Sequence, residues 1–103
     1  MATRQSIEFD FRQAMAQADR IDTVADNLNN LSARRFEATM QNLSSNWKGE
    51  NASAYRNKGE RLQGKMNTTV NELRNTASDI RKIAKKLYDA EMAALDIATK
   101  RTY

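Results

Sequence analysis

Apolar side chains recur along the first half of the chain at alternating steps of three and four. Phe11, Ala14, Ala18, Ile21, Ala25 and Leu28 trace one buried stripe of an α-helix, because its 3.6-residue turn brings such positions onto a single face. Carried on strictly, that register reaches Ser32, Arg35 and Thr39, which are poor core residues. The stripe resumes instead at Phe36, Met40, Leu43 and Trp47, so Ala25 and Phe36 stand eleven residues apart. Such a step inside a heptad pattern is a four-residue stutter, which locally unwinds a left-handed supercoil. Asn27, Asn29 and Asn30 lie close to it and lower the local helix propensity. The pattern predicts a helix over 7–45, with either a straightened stretch at the stutter or a kink or frayed patch near Asn30.

The second half keeps the alternation without a break. Gly59, Leu62, Met66, Thr69, Leu73, Thr76, Ile80, Ile83, Leu87, Ala90, Ala94 and Ile97 predict a helix over 52–98, followed by a tail over 99–103. Leu62, Met66, Leu73, Ile80, Ile83 and Leu87 are the expected seam, serving the hairpin, a dimer or both. Val70, Ala77, Ala84 and Ala98 lie one position further round, and Tyr88 and Leu95 widen the face on the other side. The stripe is therefore broader than a two-stranded seam requires. Gly59 and Gly64 each cost about 1 kcal/mol inside a helix, and Gly59, on the seam, offers room for a partner backbone.

Between the two arms stands Asn46-Trp47-Lys48-Gly49-Glu50-Asn51, with the only tryptophan and the first of 3 glycines in a chain without proline. Trp47 supplies an apolar body to pack beneath a turn, and Gly49 can take the positive φ that a helix stop needs. Asn51 offers a side-chain oxygen as N-cap for the second helix. The expected fold is all-α: a single domain built as an antiparallel helix–turn–helix hairpin, with its turn at 46–51. Each buried Leu, Ile or Met contributes roughly 1.5–3 kcal/mol, while ordering the backbone costs about 1–2 kcal/mol per residue. A lone hairpin with one wet flank is then marginal, whereas two hairpins packed as a four-helix bundle cover both flanks. The width of the stripe thus predicts a dimer.

Composition narrows the function. The 103 residues include no cysteine and no histidine, which removes the usual nucleophile–base pairs and the usual zinc and iron ligands. No glycine-rich phosphate loop or calcium loop is present, and Asp22 with Asp26 reads as a solvated helix face. The expectation is a protein that is not an enzyme and carries no metal or cofactor. No apolar run is long enough to span a membrane, and the first residues lack the apolar core of a cleaved signal peptide. Cytoplasmic synthesis follows, with export by a route that needs no such signal left open. The net charge is +4, with Arg81, Lys82, Lys85 and Lys86 clustered opposite the Ile80–Ile83–Leu87 seam. That cluster reads more simply as a solvated face, with Lys85 and Asp89 paired at i,i+4, than as a phosphate-tracking patch. No aromatic residue interleaves with it for stacking, so neither nucleic acid nor stable membrane insertion is expected.

In length, two-helix layout and the central Trp47-Lys48-Gly49, the whole chain resembles the WXG-hundred family, the small early-secreted-antigen-like substrates of type VII secretion. A Trp-x-Gly tripeptide is common by chance, and its place in the one predicted turn is what gives it weight. The resemblance implies a hairpin that pairs with itself or with a related small helical protein into a four-helix bundle. It also implies export in folded form by a membrane-bound type VII secretion ATPase, to the cell surface or beyond, in a virulence-associated setting. Family members often carry a Tyr-x-x-x-Asp/Glu export signal after the second helix. This chain departs from that form, since Tyr88 is followed four residues on by Met92. The nearest substitutes are Leu87 with Glu91 and Met92 with Asp96, a looser hydrophobic-x-x-x-acid form that is similar to Gram-positive members. Glu91 and Asp96 also have a plainer reading as solvated residues, with Asp96 paired to Lys100. Two other roles fit the same residues: a targeting or chaperone subunit for a larger type VII effector, and an intracellular coiled-coil adaptor.

Overall fold

The structure, a computed structural model, describes residues 3–46 and 49–101, apart from the side chains of Ser44, Asn46, Glu50 and Asn51. In chain order its elements are α1 (Arg4–Asn30), a π-helical segment (Leu31–Phe36), α2 (Glu37–Asn46) and α3 (Glu50–Arg101). No strand occurs among the described residues. The molecule is an all-α helical hairpin, as the periodicity predicts. It divides into two compact units, the first formed by Met1–Asp22 with Asn75–Tyr103 and the second by Thr23–Arg74.

The helix ends depart from the expected 7–45 and 52–98. α1 begins three residues early because Thr3 and Ser6 cap each other. Ser6 N–H donates to Thr3 Oγ1 at 3.1 Å, and Thr3 N–H donates to Ser6 Oγ at 2.9 Å. This reciprocal pair satisfies two of the donors that a helix start leaves unpaired. At the turn, Gly49 has φ 112°, as its predicted role requires. Its carbonyl accepts a hydrogen bond from Ser53 N–H at 3.2 Å, so α3 starts at once with Glu50. Asn51 therefore lies inside the helix and not at its N-cap. Trp47 and Lys48 fall outside the described residues, and so does the expected packing of Trp47 beneath the turn. At the far end α3 continues to Arg101, into the stretch expected as tail.

In the first unit α1 and α3 run antiparallel. Phe11 meets Tyr88 with ring centroids 4.9 Å apart and a 43° interplanar angle, and further along α1 Asp19 meets Arg81. Ile7, Ala18, Ala77 and Ala84 are buried, with Phe11, Ala14, Ile21, Ile80 and Tyr88 half-buried around them. The second unit is antiparallel too: Asp26 meets Arg74, Ser32 meets Asn67, and Met40 lies over Gly59. Its buried positions are Ala25, Ser32, Ala52, Gly59 and Val70, with Leu28, Phe36, Met40, Leu43, Met66 and Leu73 half-buried. On α3 the most deeply buried line in the first unit is the flank of small residues, Ala77 and Ala84, and not the expected seam, while in the second unit Val70 of that flank is buried together with the seam's Gly59. Small side chains let two helix axes approach closely, and the larger aliphatic residues rotate outward. What comes onto Gly59 is the Met40 thioether, a side chain where the sequence suggested a backbone.

The stutter takes a definite form. Ser32, which looks too polar for a core, is completely buried and continues the heptad line from Ala18 and Ala25. Its hydroxyl donates to Asn67 Oδ1 at 3.0 Å, and its carbonyl accepts from Gln63 Nε2 at 3.0 Å. Burying a hydroxyl is costly only when it is left unpaired. After Ser32 the inward positions become Phe36, Met40 and Leu43, one residue later than the heptad line through Ala18 and Ala25 would place them. A π turn absorbs one extra residue, and Leu31–Phe36 is that turn. It holds Ser32 upstream and Phe36 downstream on the same side, so the helix is neither straightened nor frayed but locally widened.

Candidate functional site

The residues singled out for recognition sit at two places, the turn and the last third of α3. At the turn only Gly49 is described, and its left-handed φ combined with open surroundings marks a position where the backbone alone selects the residue. On α3, Leu87 and Glu91 stand one turn apart, as do Met92 and Asp96. Leu87 is exposed, Glu91 and Met92 are half-buried, and Asp96 is exposed and paired with Lys100 at 3.3 Å. Tyr88 is half-buried against Phe11, with Ile7, Asp10, Ala14 and Glu91 around the same cleft of about 160 Å³. Its ring thus serves hairpin packing, which leaves Leu87 as the more accessible apolar partner for an acid four residues on.

The expected seam splits in the same way. Met66, Leu73 and Ile80 are half-buried between the helices. Leu62, Ile83 and Leu87 are mostly exposed, Leu87 also lining the cleft beside Phe11 and Tyr88. Ile83, Leu87 and Ile97 are 58%, 56% and 54% exposed, and Ala90 and Ala94 between them are exposed as well. These five positions, spaced by fours and threes, form a continuous apolar stripe on α3 in the first unit.

The basic cluster is not the uniform solvated face that the sequence suggests. Arg81 turns toward α1, where one nitrogen, Nη2, donates to Asp19 Oδ1 at 2.7 Å and to Asp22 Oδ2 at 2.6 Å. The hydrogen bonds to Asp19 and then Asp22 hold the guanidinium charged and raise its pKa above the ordinary arginine value, against a smaller opposing effect of burial. Lys85 pairs with Asp89 at 3.0 and 3.1 Å, as the sequence suggests. In the second unit Arg74 reaches Asp26 at 3.2 Å. Asp22 and Asp26, read as a solvated face, are therefore rungs between helices. A signal was there to find: Asp19, Asp22 and Asp26 at steps of three and four, opposite Arg74 and Arg81 seven apart.

Among the described residues no group of three or more acidic side chains could hold a metal ion, and no helix is long and apolar enough to cross a membrane. What the molecule offers is surface: a small two-armed helical protein that leaves a long apolar stripe uncovered. A family model described as proteins of 100 residues with WXG matches residues 6–92, and the chain belongs to that WXG100 family. The family is associated with type VII secretion substrates and is not known as enzymatic. No curated protein and no solved structure matches the chain.

Proposed function

We propose that this chain is a non-enzymatic substrate of a type VII secretion system, made in the cytoplasm and exported as a folded homodimer. The observation that carries the reading is the outward stripe Ile83–Leu87–Ala90–Ala94–Ile97 on a member of this family. Each Ile or Leu covered by a partner contributes roughly 1.5–3 kcal/mol, and a two-fold interface counts every such residue twice. Two hairpins joined along this stripe form a four-helix bundle. The translocase ATPase then reads a folded pair that presents the Trp47–Gly49 turn and an α3 end carrying Leu87 with Glu91 or Met92 with Asp96.

Sedimentation of the purified protein tests the pairing. A dimer is expected at micromolar concentration, and Ile83→Glu with Leu87→Glu converts it to monomer. A stable wild-type monomer at that concentration rules the pairing out. For the export signal, Glu91→Ala and Asp96→Ala are compared in a secreting strain, with helicity checked by circular dichroism. Loss of secretion in one or in the double variant is expected. Normal secretion of the double variant removes both acids from the signal.

A further inference from the structure

The outer face of α3 changes character near its start. In the second unit, Tyr55, Lys58, Arg61, Leu62, Lys65 and Thr69 are all exposed. With 3.6 residues per turn they fall within an arc of about 120°. Tyr55 and Leu62, seven residues apart, are 55% and 49% exposed and form one edge, with Lys58, Arg61 and Lys65 along the other. No carboxylate enters this arc before Glu72. Glu60 projects to another side, where it shares a cleft with Arg56, Glu37 and Met40. Elsewhere the chain answers many of its cations: Arg4, Arg74, Arg81, Lys85 and Lys100 each hold an acid. Lys58, Arg61 and Lys65 make no ion pair among the described residues.

We propose that this strip docks an amphipathic helix of a different protein, one whose apolar seam is bordered by Asp or Glu. Three features fit that occupant. Tyr55, Lys58, Leu62, Lys65 and Thr69 together follow the three–four spacing that a facing helix presents. The two large side chains are anchors at heptad distance, and the flanking cations lack the acids that would complete them. A second copy laid strip against strip opposes cation to cation, which repels. A bilayer needs a broader apolar face than one tyrosine and one leucine, and three cations without groove-reading or stacking elements give nucleic acid little to hold. The strip goes beyond the self-pairing stripe at Ile83–Ile97 and stands whether or not the protein is a dimer.

The test uses the full chain at near-physiological salt and a labelled synthetic helix of roughly three heptads with Leu at the seam and Glu at both borders. Fluorescence anisotropy should show saturable binding. It should fall about tenfold or more in Lys58→Glu/Arg61→Glu/Lys65→Glu, and again in Tyr55→Ala/Leu62→Ala. Circular dichroism of each variant establishes that the hairpin is intact. A control peptide with Lys in place of every Glu should not bind. Equal binding of the control peptide, or undiminished binding to either variant, overturns the proposal. So does preferential capture, through the same three cations, of phosphatidylserine vesicles or of a single-stranded oligonucleotide.

Discussion

At Gly49 the backbone adopts φ 112°, where any Cβ is strained even though nothing lies within 4 Å of where it would stand. Gly49→Ala should lower stability by about 1–2 kcal/mol in urea denaturation. Gly64 is equally open but helical, so Gly64→Ala should raise stability by about 1 kcal/mol through helix propensity alone. One substitution read at two glycines therefore separates backbone strain from packing. The positive φ of Gly49 was legible from its neighbours in the sequence. Ser32 was not, because its acceptability in the core depends on Asn67 and Gln63, more than thirty residues away. The Thr3–Ser6 cap was local and readable, but the first apolar residue of the stripe drew the helix start to Ile7.

For the elements, the informative place is the π turn. Deleting Arg34, exposed within it, removes the extra residue and leaves an ordinary α-helix with Ser32, Phe36, Met40 and Leu43 still inward. Stability should change by about 1 kcal/mol or less. Deleting the exposed Gln17 instead turns Ile7, Phe11 and Ala14 by about 100° relative to Ala18, which should cost on the order of 3 kcal/mol or more. The stutter was thus visible as a break in spacing. Its resolution was hidden, since spacing alone does not say whether the helix straightens, frays or widens. The deeply buried line of α3 was misplaced for a related reason: a periodicity weighted by side-chain size favours Leu and Ile, while close helix approach favours Ala and Gly. Among the charged pairs, Arg81→Gln should lower the thermal midpoint by an amount that shrinks as salt is raised, because the lost contacts are largely electrostatic. Lys85→Gln, which removes only an exposed i,i+4 pair, should shift stability by roughly 0.5 kcal/mol at most.

At the scale of the whole molecule, the all-helical hairpin and the family were both legible, because helical spacing and a Trp-x-Gly between two arms survive without knowledge of any contact. What covers the outer stripe is a property of two molecules and is written in neither helix alone. If a second copy covers it, the thermal midpoint should rise with protein concentration, and Ile83→Glu should abolish that dependence. A midpoint that stays flat over about a hundredfold dilution speaks for a self-sufficient monomer.

In both units small side chains make up most of the buried inside, while much of the oil lies outside. If a second copy covers the stripe, the chain has no fixed melting behaviour of its own, because its stability then rises with the logarithm of its own abundance. The expression level of the gene then becomes a folding parameter. A cell that makes too few copies holds a looser protein, not merely less of the same one.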